Sequence, residues 1–178
     1  VKNLNPKLAF NPKKLVVGAK DLVMEAHFLS SFDHRGIIQL KGWSAEGIAG
    51  FSSTGRADGF FLVFDRLEST LSKRISQWRE ESKRRVKTSP IKNSRSSARM
   101  QLFNERIRTA IDIASAIAYL HDKRVLYRDL KPANVGFDSN DTLKIFDFGL
   151  AVYVLLFCFV GHRAECGDVD DLQNAEVL

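Results

Sequence analysis

Two cysteines, Cys158 and Cys166, are all that the 178 residues contain, and their number and spacing exclude a disulfide framework or a zinc site. A reducing, intracellular setting fits. The chain has no apolar opening stretch of the signal-peptide kind and begins at Val1 rather than at Met, so the sequence is expected to start inside a longer product. No apolar run approaches the roughly 20 residues that a spanning helix needs. The longest clear one, VYVLLFCFV at 152–160, stops at nine and gives no support to a membrane role. Neither GxGxxG nor GxxxxGK[ST] occurs in the glycine- and serine-rich stretch Ala45–Gly59, which excludes a phosphate cradle of those two kinds there.

What is present is 44% apolar and carries a net charge of +6, enough for one core of ordinary size. The charge is local. Lys73–Arg99 holds ten basic and two acidic residues, which leaves about −2 for the rest of the chain. No aromatic residues are interleaved there to stack on bases, so nucleic acid is disfavoured as a partner. Residues 79–99, REESKRRVKTSPIKNSRSSAR, break apolar periodicity and are expected to form a basic insertion without regular structure. Three uses compete for it: a phosphorylation site at Thr88 or Ser89 beside Pro90, a nuclear-targeting patch in KRRVK, or a plain solubilising loop.

Around that insertion the elements alternate. Asn3–Pro12 is turn-rich connector. Leu22, Glu25, Ala26 and Leu29 recur at steps of three and four and predict a helix over Lys13–Leu29. Ile37, Ile38 and Leu40 predict a strand within His34–Trp43. GFFLVFDRL, 59–67, reads as a strand buried on both faces. Ser69 or Thr70 can cap a helix through Leu71, Ile75 and Trp78. Met100–Leu120 is the longest predicted helix, with Leu102, Phe103, Ile107, Ala110, Ile111, Ala114, Ile117, Ala118 and Leu120 on one wide apolar face.

The chemistry concentrates further on. In YRDLKPAN, residues 127–134, Asp129 and Asn134 stand five residues apart around a Lys-Pro pair, too irregular for one helix face. Val135 and Phe137 then alternate around Gly136, Asp138–Asp141 supply turn chemistry, and Leu143, Ile145 and Phe146 lead to Asp147 in DFGLA. Such a hairpin can fold Asp147 back toward Asn134. Two carboxylates and an amide so presented suit Mg2+ shared with substrate phosphates. An isolated Asp-x-x-x-x-Asn is a solvated turn; the second motif changes its meaning.

YRDLKPANV followed by LKIFDFGLA resembles the catalytic loop and the magnesium-binding loop of eukaryotic-type protein kinases. The resemblance implies an α+β, two-lobe kinase fold, incomplete here: residues 1–151 as a partial kinase domain, with a small β lobe and hinge over 1–67 and the start of a mainly helical large lobe over 68–151. Residues 152–178 form a tail that does not match. It implies catalytic roles for Asp129 with the substrate hydroxyl, Lys131 beside the transferring phosphoryl group, and Asn134. It implies nucleotide binding by Lys2, Glu25, Phe64, Asp65, Leu67 and Asp147, with Lys2 and Glu25 paired, Phe64 as gatekeeper, and backbone groups around Asp65, Arg66 and Leu67 meeting the adenine edge. Asn134 and Asp147 would hold the metal. Cofactors are then ATP and Mg2+, partners ATP and a protein presenting Ser or Thr, and the setting cytoplasmic or nuclear. A catalytically inactive interaction module and a small-molecule kinase are the competing readings.

Several residues depart from the pattern. Tyr127 replaces the usual histidine. Gly136 stands where the family places a bulky aliphatic floor under adenine, a loss of about 1 to 2 kcal/mol of apolar contact unless Phe137 or another group fills the gap. Leu29, Leu40, Tyr127 and Phe148 correspond to the family's hydrophobic column, while Arg128 has no evident activation segment to hold. From the unmatched tail and the absent glycine loop, the 178-residue polypeptide alone is expected to have little phosphotransfer activity.

Overall fold

The computed structural model describes residues 1–4, 11–47, 49–50, 59–88 and 92–154. Expectations for Ser89 and Pro90, for most of the Asn3–Pro12 connector, for the middle of the Ala45–Gly59 loop and for the tail after Val154 lie outside the described residues.

The first helix, α1 (Pro12–Ser30), begins where the sequence supplies both a cap and a proline. Asn11 Oδ1 accepts from Lys14 N at 3.1 Å. Leu22, Glu25, Phe28 and Leu29 make its buried face. That face lies against a three-stranded antiparallel sheet ordered β1 (Lys2–Asn3), β3 (Phe61–Phe64), β2 (Leu40–Trp43). Only Leu62 of β3 is fully buried, and its neighbours Phe61, Val63 and Phe64 are half-buried, so the strand is shorter and less enclosed than its composition suggests. The strand expected from His34 begins only at Leu40. Ile37 and Ile38 are buried just before it, where Ile37 forms an isolated parallel bridge with Ile145, Ile38 N donating to Ile145 O at 2.9 Å and Ile145 N to Gly36 O at 2.8 Å.

A second sheet, β4 (Ser69–Thr70), β6 (Val135–Phe137) and β7 (Leu143–Ile145), continues from that contact. Two long helices, α2 (Leu71–Thr88) and α3 (Lys92–Asp122), run between its strands. Thr70 Oγ1 caps α2 by accepting from Lys73 N at 3.4 Å. The expectation for 79–99 needs correction, because all its described residues are helical. Many Lys, Arg, Glu and Ser residues tolerate a helix, and contact along α2 and α3 supplies what their periodicity lacks: Trp78 is buried, and the Arg106 guanidinium sits 5.6 Å from its ring centre.

The α3 face also divides. Leu102, Ala116 and Leu120 are buried, whereas Phe103, Ile107 and Ile111 remain exposed. A third, two-stranded sheet pairs β5 (Val125–Leu126) with β8 (Val152–Tyr153). The main core gathers Phe28, Ile37, Leu120, Tyr127, Ile145 and Phe148 among others; a smaller one lies under α1 with Leu4, Leu22, Phe60 and Leu62. No helix among the described residues is long and apolar enough to cross a membrane.

Candidate active site

Two short loops meet because the β6–β7 hairpin returns the chain. Val135 pairs with Ile145 and Phe137 with Leu143, and Phe146 N donating to Asn134 O at 3.0 Å extends the ladder by one rung. Asp138 closes the turn, its Oδ1 accepting from Asn140 N and Thr142 N at 2.9 Å each. The residue after Phe146 is therefore delivered beside the start of β6. Asp147 takes φ 68° and Arg128 φ 63°, left-handed values that cost a non-glycine residue energy and occur where surrounding contacts impose them.

In the first loop, Asp129 Oδ2 accepts from Lys131 Nζ and from Asn134 Nδ2, each at 2.7 Å. The lysine hydrogen bond holds the Asp129 carboxyl below the ordinary carboxylate value, with desolvation opposing it and the Asn134 amide and the lysine charge adding to it. Asn134 spends its amide nitrogen on Asp129, so its carbamoyl oxygen is the atom that can face a cation. In the second loop, Asp147 Oδ1 accepts from Lys2 Nζ at 2.8 Å. The same ammonium meets Glu25 Oε2 at 2.5 Å, and Phe148 N donates to Glu25 Oε1 at 3.3 Å. Glu25 is 2% exposed, and burial pushes its pKa up further than Lys2 pulls it down. Burial pulls Lys2 the other way, but the two carboxylates outweigh it and leave the ammonium above its ordinary value.

β1 pairs Lys2 with Leu62, and the Lys2 side chain bridges α1 to the second loop. A cavity of about 330 Å3 lies there, lined by Lys2, Leu22, Glu25, Asp129, Asp147 and Leu150 among others. The other candidates stand apart from it. Phe64 packs between the two cores. Asp65 is tied to the strands: its N–H donates to Gln39 O at 3.2 Å, and its carboxylate meets Lys41 at 3.1 Å and Lys144 at 3.8 Å. Leu67 follows, and among the described residues its N–H has no hydrogen-bond partner.

Sequence reasoning missed four contacts. The Tyr127 hydroxyl donates to Phe146 O at 2.5 Å, and Arg128 Nε donates to Leu150 O at 2.6 Å, so this arginine already secures the turn after Asp147. Arg74 lies over the Phe137 ring at 3.5 Å and pairs with Asp141. Nothing in the basic run marks Arg74 apart from its neighbours. Leu29, Tyr127 and Phe148 do share the buried cluster, with Leu40 packed against it.

No group of three or more His, Cys, Asp or Glu side chains among the described residues could hold a metal. The donor set on offer is one amide oxygen and one carboxylate, which suits a hard cation whose remaining ligands are phosphate oxygens and water.

A small sheet with one helix, a larger helical part, and an acid–amide–lysine cluster between them define a protein-kinase-like, two-lobe α+β protein, here in part. The sequence profile of the protein kinase domain matches residues 1–155, and the chain belongs to that family. It is 28% identical over 149 residues to a probable L-type lectin-domain containing receptor kinase VII.2 of Arabidopsis thaliana, covering 82% of this chain and 18% of that protein. Over 45 residues it is 51% identical to cAMP-dependent protein kinase type 3 of Saccharomyces cerevisiae, covering 25% of this chain and 11% of the other. Over 52 residues it is 48% identical to eIF-2-alpha kinase GCN2 of Mus musculus, covering 29% and 3%. The chain spans less than a fifth of the length of these relatives.

Proposed function

We propose that the site binds ATP with Mg2+ and transfers the γ-phosphoryl group to a Ser or Thr hydroxyl of a protein substrate. The observation that carries this reading is the Lys2 ammonium held between Glu25 and Asp147, beside a cavity that Asp129 also lines. Lys2 offers a cation to the inner phosphates, and Glu25, buried and tied to Phe148 N, keeps that cation in place. Asn134 and Asp147 would hold the metal, which would supply positive charge to offset that of the phosphates.

Asp129 orients the substrate hydroxyl and accepts its proton. Its depressed pKa keeps it ionised at neutral pH, and Lys131 beside it presents a cation where charge develops on the transferring group. Positioning and electrostatics, rather than a covalent intermediate, supply the rate. RDLKPAN, with lysine two residues after the aspartate, supports Ser or Thr as acceptor.

The test uses the full 178-residue chain with Mg-ATP and a Ser/Thr peptide mixture. Asp129→Asn is expected to retain nucleotide binding, and to lower whatever phosphate transfer the wild-type chain shows by about 100-fold or more. ATP binding that ignores both Mg2+ removal and Asp147→Asn would overturn the reading.

A further inference from the structure

α3 carries apolar residues on two opposite faces. The inner face, with Leu102, Ala116 and Leu120, is buried in the main core. At 3.6 residues per turn, Phe103, Ile107, Ala110, Ile111, Ala114 and Ala118 fall within an arc of about 100° on the far side, and every one of them is exposed. No charged or amide side chain interrupts that arc from Phe103 to Ala118. A contiguous apolar strip of this kind marks a surface that another segment covers.

The β5–β8 register brings one such segment to the helix. Val125 pairs with Tyr153 and Leu126 with Val152, and Val154 N donates to Arg124 O at 2.7 Å. The chain therefore leaves β8 heading back to the C-terminal end of α3. An extended chain rises roughly 3.3 Å per residue and a helix about 1.5 Å, so each residue of a tail laid along α3 passes about two helical ones. Counted back from Arg124 at that ratio, Cys158 comes roughly level with Ala114, Val160 with Ile111 and Glu165 with Arg99.

The order of the chemistry agrees with that direction. Residues 155–160, LLFCFV, are apolar without interruption, and they come level with the apolar strip. Beyond them Glu165, Asp168, Asp170, Asp171 and Glu176 are accompanied by a single basic residue, Arg163. The part of α3 that these acids would reach presents exposed Arg99, Arg106 and Arg108. It lies beside the basic α2, where Arg106 meets Trp78 and Ser82. Apolar faces apolar first, and acidic faces basic next.

We infer that residues 155–160 run back along α3 and cover its outer face, so that the occupant of this surface is the chain's own tail. The match to the kinase family ends at residue 155, and the contact is a property of this chain beyond that match. It does not depend on the nucleotide reading.

The experiment uses the two native cysteines, both of which lie in the tail. In the full chain carrying Cys166→Ser, Cys158 is the one remaining tail thiol. Ala114→Cys and Ala118→Cys each add a thiol on the outer face, and Ser115→Cys adds one at the same height but about 100° round the helix. With glutathione disulfide as oxidant, linkage to Cys158 within one chain is followed by peptide mass spectrometry. It is expected to be about tenfold faster or more from the two outer-face positions than from Ser115→Cys. Adding Ile111→Glu to the Ala114→Cys chain is expected to slow linkage about tenfold. Should the added thiols upset folding, chymotrypsin cleavage within 155–160 of the unsubstituted chain is measured instead, and Ile107→Glu/Ile111→Glu is expected to speed it about tenfold. Equal rates from Ala114→Cys and Ser115→Cys, no linkage from either outer-face position, or cleavage indifferent to the two glutamates overturns the inference. Linkage that joins two chains and rises with protein concentration overturns it in favour of a second copy as the occupant.

Discussion

Tyr127 donates its hydroxyl proton to the Phe146 carbonyl at 2.5 Å, and its ring stands 5.0 Å from that of Phe148 at 63°. One side chain thus spans the loop that carries Asp129 and the loop that carries Asp147. Burial pushes the phenol pKa up, so the hydroxyl remains a donor throughout the working pH range. Tyr127→Phe keeps the ring and removes the bond. It is expected to lower unfolding free energy by about 1 to 2 kcal/mol, measured by urea titration, and to reduce phosphate transfer more than ATP affinity.

Lys2 and Glu25 make stability depend on pH in a defined direction. Both groups bind their protons more tightly in the folded chain than in the unfolded one. Their contributions are therefore full below the unfolded-state pKa values and fade as pH rises through the folded ones. For Glu25 the decline begins near the ordinary value of 4.5, and for Lys2 near 10.5. Glu25→Gln is expected to flatten the decline in unfolding free energy above pH 4.5. Denaturant titrations of both proteins across that range supply the comparison, and an unchanged slope would contradict it.

Lys131 lowers the pKa of Asp129 by direct hydrogen bonding. In Lys131→Ala the Asp129 carboxyl should titrate higher, nearer its ordinary value of 3.8, as followed by 13C NMR of the side-chain carboxyl. The sign for stability is opposite to that of Glu25: a depressed carboxyl contributes above its unfolded pKa and loses that contribution as pH falls through the folded one. Asp129 is accessible to solvent, so this effect is small, and the kinetic one is the larger. kcat is expected to fall about 100-fold, with Mg-ATP affinity little changed.

Arg74 holds the far end of the β6–β7 hairpin through the Phe137 ring and the Asp141 carboxylate. Its side chain is 16% exposed, which strengthens both contacts relative to a solvated pair. Arg74→Ala is expected to cost about 1 to 2 kcal/mol. Hydrogen exchange should rise in residues 135–145 ahead of α1, and a uniform rise across the chain would argue against a local clamp.

The hairpin was legible because alternation around Gly136 and four turn-forming residues after Phe137 are local signals, and the observed strands fall where those signals end. The capped start of α1 was legible in part: the periodicity located the helix, while Asn11 and Pro12 set its first turn. Residues 79–99 were misread for a corresponding reason. Their composition lacks an apolar repeat, whereas α2 meets α3 through Trp78 and Ser82 against Arg106, a contact between segments that periodicity within one segment does not register.

By itself the sequence determined the family and the two loops, because RDLKPAN and DFG place specific oxygen and nitrogen atoms at fixed spacing on short, locally encoded turns. Only the tertiary structure decided that Lys2 stands between Glu25 and Asp147, that Tyr127 ties the two loops together, and that Leu67 and Phe146 fill the space over Gly136. Each is a meeting of groups far apart along the chain. Their distances follow from how the helix and sheets pack together, which no local pattern of residue types records.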